Sequence, residues 1–395
     1  MNNFQFQLQT SIVFGKGERD NIGKLLKPLA KKILFAHYGG EIVRMNGLYD
    51  TVTESLKNNG VEFVELPGVV PNPRVTLVRE GIELCREHGV DLVLGVGGGS
   101  VIDTAKAVAA GVPYDGDVWD LFVDQKKLVK ALPVATILTL PATGSESGGS
   151  SVVTNQDTKE KIVLANALLK PAVSILDPEL FYSLPKKQIA NGVFDMMSHI
   201  FERYFTNTKD TDLIDAMAEA ALRVIMKHGR IVYAEPTNYE SWCQVGFGGS
   251  LAHNDLFGIG RVQDWASHKI GNFLSGMYDV AHGASLAVLT PAWIQYVYKE
   301  NPEMFVQWAV NVMGVQGSYR QPEELILEGI ERLKSFIEEL ELPKNLAELG
   351  VPNKDDFEFI AKRLTGADQG EEVGIGGLKV LGWKDIVAIL EIAWG

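Results

Sequence analysis

The sequence predicts two domains of different class: an α/β domain built on a parallel sheet over residues 1–184, and an all-α domain over residues 185–395. Three observations carry this expectation. Short apolar runs alternate with helix-period segments in the first half, glycines cluster after two of those runs, and the strand signal fades past Pro185. Strands that alternate with helices of about 10–15 residues need crossover connections, which make neighbouring strands parallel and put helices on both faces of the sheet.

The elements follow in order. The opening MNNFQFQLQTSIVFGKG alternates apolar and polar residues, the period of a half-buried strand. Lys32–His37 is an apolar run that ends in Tyr38-Gly39-Gly40-Glu41. A helical pattern at Leu48, Val52 and Leu56 runs to Asn58-Asn59-Gly60, and Val61–Leu66 reads as the next strand. A helix over Val75–His88, a strand over Asp91–Val96, a helix after Ser100 and a strand over Val134–Leu140 complete the half. Later segments with helical spacing are Gln188–Tyr204, Leu213–Lys227, Ser241–His253, Trp265–Phe273, Ala284–Tyr298, Pro322–Leu340 and Lys384–Ala393.

At 395 residues the chain is long enough for two cores, and its 46% hydrophobic and 22% charged residues are ordinary for a globular protein. The net charge of −13 argues against nucleic acid or an anionic membrane as partner, since both need a basic face. Two cysteines without CxxC spacing, Cys85 and Cys243, exclude a disulfide framework and fit a reducing compartment. The N-terminus lacks the basic and apolar regions of a secretory signal, and no apolar run is long enough to span a bilayer. A cytoplasmic location is expected.

The stretch GVGGGSVIDTAKAV, Gly95–Val108, carries the first candidate site. Three consecutive glycines, Gly97, Gly98 and Gly99, imply unusual torsions or a close backbone approach. Ser100 and Asp103 have the spacing of a helix cap. A glycine turn opening a helix is a natural anion site, but Ser100 stands where the third glycine of the dinucleotide fingerprint belongs, so a plain strand-to-helix turn stays open. Ligands of such sheets bind at the carboxyl ends of strands, where Gly39-Gly40 and Gly97–Gly99 fall.

The seven histidines carry the second. His199 follows Asp195 at i+4 in FDMMSHIFE, placing carboxylate and imidazole on one helix face. His268 and His282 lie in apolar surroundings on two later helical segments, where a hydrogen-bonded core histidine is the alternative to a ligand. One Asp and three His together would suit iron(II), zinc or a similar divalent ion. His88 and His228 each precede a glycine and read as helix-end residues, and His253 has no evident partner.

Taken together, DxxxH, DWASH and YDVAHGASLAVLTP, with GGGSVIDTAK and TLPATGSE upstream, resemble the iron-dependent alcohol dehydrogenase family, and among its branches the butanol dehydrogenases. The opening pattern over Phe4–Gly17 is similar as well. The resemblance implies a Rossmann-like nucleotide-binding domain, a helical metal-binding domain and a metal and cofactor in the cleft between them. It also implies reversible hydride transfer between NAD or NADP and a small aldehyde or alcohol, with a homodimer expected. On this resemblance Asp195, His199, His268 and His282 are the metal ligands. Gly97, Gly98, Gly99 and Ser100 form the pyrophosphate loop with Asp103 supporting its turn, Thr139 and Thr143 contact the cofactor, Lys161 reaches the nicotinamide ribose, and Asn72 lies at the cofactor's edge. Iron(II) is the metal implied, with zinc its competitor under the Irving–Williams order.

Four features depart from the family pattern or compete with it. Asn272 occupies a position where many members carry a histidine, Glu41 stands where glycine is common, and Gly148 replaces an asparagine. The cofactor signals conflict: Gly39-Gly40 leave room for a 2′-phosphate that Arg44 is near enough in sequence to pair with, while the Glu41 charge opposes it. The rival readings are a dehydroquinate-synthase-like or glycerol-dehydrogenase-like enzyme of the same plan, and a non-catalytic nucleotide-binding protein. A synthase of that kind needs cations by the metal, for which Arg203, Arg261 and Lys269 are the nearest candidates in sequence.

Overall fold

The computed structural model describes residues 1–40, 42–158, 160–317 and 319–395, so the expectation placed on Glu41 lies outside the described residues. The chain divides into two compact units: Gln7–Leu184 with Pro236–Asn254, and Met1–Phe6 with Pro185–Glu235 and Asp255–Gly395.

The first unit is built on a six-stranded, all-parallel sheet. Its strands are β1 (Ser11–Phe14), β2 (Lys32–Tyr38), β3 (Glu62–Val69), β4 (Leu92–Gly97), β5 (Val134–Leu138) and β8 (Val173–Leu176), in the order β1-β8-β5-β4-β2-β3. Strands β4, β5 and β8 are buried along their whole length, as continuous apolar runs covered on both faces should be. The chain leaves β2 for β3 on one side and leaves β4 for β5 on the other, so the order reverses between β2 and β4. Ligands of doubly wound sheets bind at such a reversal. A hairpin of β6 (Ser150–Asn155) and β7 (Glu160–Ala165) adds a separate two-stranded sheet.

The second unit is helical among its described residues. Its centre is the helix His282–Val297, apolar nearly all round and buried from Gly283 to Ile294. It packs against helices Lys186–Tyr204, Ala266–Tyr278, Pro322–Glu339 and Trp383–Trp394. Its Trp293 joins an aromatic cluster with Phe201, Phe205, Phe305 and Trp308.

Several local expectations are corrected. The strand pattern before Thr10 forms no strand: the edge strand β1 is Ser11–Phe14, matched residue for residue to the four residues of its neighbour β8. His228 does not end a helix. The helix Asp212–Ala234 runs through it, and Gly229 serves instead to admit Val193, whose Cγ1 lies 2.6 Å from where a Cβ at 229 would sit. The β6–β7 hairpin, β8 and the helices Pro302–Asn311 and Phe357–Thr365 were not read from the sequence.

Candidate active site

At the switch point the glycine turn works by close approach. Gly97–Gly99 have no positive φ, so the unusual torsions expected there are absent. A Cβ at Gly99 would lie 2.6 Å from Thr143 Oγ1, and one at Gly98 3.2 Å from the Tyr38 hydroxyl and 3.1 Å from Leu140 Cβ. The glycines let the strand end and helix start pass flush beneath the loop that follows β5. Gly40, at φ +67°, makes the left-handed turn after β2 that glycine adopts without strain.

The helix Gly99–Gly111 starts one residue earlier than expected, with Gly98 as its cap and no capping side chain. The Ser100–Asp103 cap is therefore corrected. Asp103 is buried, accepting from Ser145 Oγ at 2.7 Å and from the Val152 amide at 3.1 Å. It braces the Thr139–Gly148 loop rather than the helix end. Within the first turn the Val101 and Ile102 amides donate to Gly98 O, which leaves the Gly99 and Ser100 amides as the available donors where the sheet order reverses.

Lys106, a residue the sequence reading passed over, completes the bracing. Its ammonium is fully buried and donates to Ser145 O (2.6 Å), Ser145 Oγ (2.8 Å), Gly148 O (2.8 Å) and Ser150 O (2.9 Å). Burial pushes its pKa down to about 8, against the pull of Asp103 and Glu146. Burial raises both of those carboxyls above the usual range. The lysine's sequence signal was present in GGGSVIDTAK, but only the fold shows that it faces the loop.

The other cofactor candidates fall around this turn. Thr139 donates its amide to Gly97 O at 3.0 Å, continuing the ladder past β5, and Thr143 Oγ1 accepts from the Ser145 amide at 3.2 Å. Asn72, at φ 55° beyond β3, accepts from Lys161 Nζ at 3.0 Å, so two residues 89 apart in sequence meet. Arg44 lies with its guanidinium 4.0 Å from the Tyr49 ring centroid, and the Tyr49 hydroxyl donates to Glu65 at 2.6 Å. Two earlier puzzles resolve each other. His253 has a partner after all, Ser150 Oγ at 3.2 Å, and its Cδ2 lies 2.7 Å from where a Cβ at Gly148 would sit. With His253 in place, no side chain fits at 148.

In the helical unit three of the metal candidates, Asp195, His268 and His282, form one cluster, and His199 lies beside Asp195 without joining the mutually close set. The Nε2 atoms of His199, His268 and His282 lie 3.9, 3.9 and 3.8 Å from Asp195 Oδ1. One donor atom each from Asp195, His268 and His282 falls within 4.8 Å of the others. Donors sharing an ion at bonds of about 2.1 Å sit between about 3 and 4.2 Å apart, so the 3.8–3.9 Å spacings from Asp195 Oδ1 suit one cation. Gly283 makes the approach possible: a Cβ there would lie 2.1 Å from Asn191 O, so the helix carrying His282 crosses the Asp195 helix in direct backbone contact. Asp195, His199 and His268 are buried.

The donor set fits a metal on its own chemistry. His268 Nδ1 is 2.7 Å from Glu202 Oε1, while its buried Nε2 has no hydrogen-bond partner among the described residues. A buried polar atom left this way is costly unless something else occupies its lone pair. Glu202, missed in the sequence, stands seven residues after Asp195 and also accepts the amides of Trp265 (2.6 Å) and His268 (2.9 Å). Next to it, burial and then the Glu202 charge raise Asp264 to about 6. Two of the three cations weighed for an anionic substrate are otherwise engaged, and the third, Lys269, is exposed. Arg203 donates to His199 O at 2.8 Å and faces Asp255, and Arg261 pairs with Asp215 at 2.7 Å.

A doubly wound sheet with a glycine turn at its switch point, and a helical unit with a carboxylate–imidazole cluster, are parts of the kind a metal- and nucleotide-dependent enzyme requires. Residues 9–178 match the description of iron-containing alcohol dehydrogenase, and residues 189–394 that of the Fe-containing alcohol dehydrogenase family, C-terminal. The chain belongs to the iron-containing alcohol dehydrogenase family. It is 40% identical over 392 residues to NADH-dependent butanol dehydrogenase A of Clostridium acetobutylicum, covering 99% of each chain. It is 35% identical to the NADPH-dependent aldehyde reductase YqhD of Escherichia coli, covering 89% of this chain and 90% of that one. Its fold matches the crystal structure of NADH-dependent butanol dehydrogenase A from Thermotoga maritima with a TM-score of 0.94 and 40% identity, over 100% of this chain and 99% of that one. Among the described residues, no helix is long and apolar enough to cross a membrane.

Proposed function

We propose that this chain is an NAD(P)-dependent alcohol dehydrogenase that moves a hydride between the nicotinamide and the carbonyl carbon of a small aldehyde, butanal and its relatives being the substrate class. Alcohol and aldehyde oxidoreduction is the chemistry of its family. The observation that carries the reading is the convergence of three imidazoles on Asp195 Oδ1 at 3.8–3.9 Å.

In this reading Asp195, His199, His268 and His282 hold iron(II) or zinc. When bound, the ion supplies a Lewis acid for the charge that develops on the substrate oxygen. The Gly99 and Ser100 amides, at the start of the helix, receive the pyrophosphate, with Thr139 and Thr143 beside them. Lys161, steadied by Asn72, takes the nicotinamide ribose, and Gly39-Gly40 give room for the adenine ribose. Asn272 does not titrate near neutral pH, so proton exchange with solvent runs without a histidine at that position. The division of labour is nucleotide binding by the sheet unit, Gln7–Leu184 with Pro236–Asn254, and metal binding by the helical unit. A cytoplasmic homodimer completes the proposal, checked by light scattering.

The test is steady-state reduction of butanal by NADH and by NADPH, with metal analysis of anaerobically prepared protein. Turnover that a chelator abolishes and iron(II) or zinc restores is the expected result. Undiminished turnover by metal-free protein overturns the metal assignment. Nucleotide binding without turnover of any short-chain aldehyde or alcohol favours the non-catalytic rival.

A further inference from the structure

We infer that Glu202 is a positioning residue for the metal centre: its one carboxylate fixes the ring of His268 and caps the helix that carries it. This rests on the metal site proposed above. Helix Ala266–Tyr278 begins after Trp265, whose backbone is left-handed at φ 67° and whose side chain makes no cap. A non-glycine residue in that region is strained and persists only where its surroundings hold it. Glu202 does so by accepting the Trp265 amide on Oε2 and the His268 amide on Oε1. The Arg203 guanidinium, 4.6 Å from the Trp265 ring, and Gln263, which accepts from the indole at 2.8 Å, hold the residue from its other end.

The same Oε1 lies 2.7 Å from His268 Nδ1. A carboxylate can only accept here, so the proton sits on Nδ1 and the Nε2 lone pair is left facing Asp195 Oδ1. Glu202 thus selects the tautomer that can ligate and fixes the ring plane. Because it stands on the Asp195 and His199 helix, it also ties the third ligand to the first two. Glutamine cannot replace it fully. Its oxygen can still serve His268, but its NH₂ group meets the Trp265 amide donor to donor.

The experiment titrates metal-free wild type, Glu202→Gln, Glu202→Ala and His268→Ala with Zn(II) against a competing chelator. NADH binding and the melting temperature of the metal-free proteins are followed in parallel. Positioning of this kind is worth roughly 10–100-fold in metal affinity. We expect Glu202→Gln to weaken Zn(II) binding about 10-fold and Glu202→Ala about 100-fold, with NADH binding unchanged. A merely structural role would lower the melting temperature and NADH binding together. Zn(II) binding within twofold of wild type in the folded Glu202→Gln protein overturns the inference. If Glu202→Ala does not fold, Glu202→Gln alone decides. Absence of Zn(II) binding by wild type refutes the metal site itself, and this inference falls with it.

Discussion

At the carboxyl ends of β2, β4 and β5 the chain prepares a surface by leaving side chains out, whereas among the helices of the second unit it makes a site by bringing side chains in. The glycine turn offers backbone amides, and its geometry depends on Gly99 lying flush under Thr143. The cluster gathers one carboxylate and three imidazoles from three helices about Asp195 Oδ1, and a second buried carboxylate, Glu202, touches one of the rings. A backbone site is fixed mostly by the local chain, so its failure is graded. A donor cluster loses an indispensable part with each residue removed. The predictions below test that contrast, from the largest effect to the smallest.

The cluster should break outright. His268→Ala removes one donor and leaves Glu202 facing a void, so kcat for butanal reduction should fall about 10³-fold or more, about 4 kcal/mol in barrier. Bound metal should fall with it, and metal analysis on the same sample checks both. Retention of full metal content and activity would show that His268 is not a ligand.

The bracing beneath the glycine turn should fail in stability. Lys106→Met leaves four acceptors in the core without their donor, a loss of about 3 kcal/mol read from urea midpoints. Its pH dependence gives a sharper check. The folded pKa of about 8 lies below the ordinary 10.5, so above pH 8 the unfolded chain binds more protons than the folded one. Wild-type stability should therefore gain ~2 kcal/mol between pH 7 and 9.5 from this group. Lys106→Met lacks that gain, so the gap between the two proteins should widen over the same interval. A constant gap would mean that the ammonium holds its ordinary pKa despite burial.

How much of this was legible beforehand follows from the same contrast. The parallel sheet, the glycine turns and the central helices were readable because each is written in adjacent residues, as apolar runs and helical periods. The i,i+4 pair Asp195/His199 was readable for the same reason. His268 and His282 could be joined to it only through the family resemblance, since nothing local says that Gly283 lets two helices touch. Glu202 and Lys106 were invisible as functional residues. A glutamate and a lysine on helices look solvent-facing until the fold buries them. The supposed Ser100–Asp103 cap shows the reverse error: the spacing was right for a local bond, but Asp103 found stronger partners in Ser145 and Val152. Gly148, a departure from the family pattern in the sequence, is explained only by the fold, in which His253 fills the place of its side chain.

At the turn itself the effect should be moderate. Gly99→Ala sets a methyl 2.6 Å from the Thr143 side chain, which must shift together with its loop. We expect KM for the nicotinamide cofactor to rise about 10-fold, about 1.4 kcal/mol, with kcat nearly unchanged. A fall in kcat alone would instead place the damage at the hydride-transfer step.

The smallest effect concerns the choice between NADH and NADPH. Gly39 and Gly40 offer no acidic side chain to hold a ribose 2′-hydroxyl, and Arg44 is four residues beyond Gly40. Its guanidinium rests on Tyr49, a contact worth about 0.5–1 kcal/mol at an exposed site, so a 2′-phosphate can recruit it at little cost. Glu41, next in sequence to Gly40 and outside the described residues, carries a charge of the sign that disfavours a phosphate. With the two charges offsetting, both cofactors should serve, NADPH at least as well as NADH by kcat/KM. Arg44→Ala should then lower kcat/KM for NADPH about 3- to 10-fold and leave NADH within twofold, while Glu41→Gly should favour NADPH further. A wild-type preference for NADH above about a hundredfold, ~2.7 kcal/mol, would reverse the assignment and make Glu41 the selecting residue.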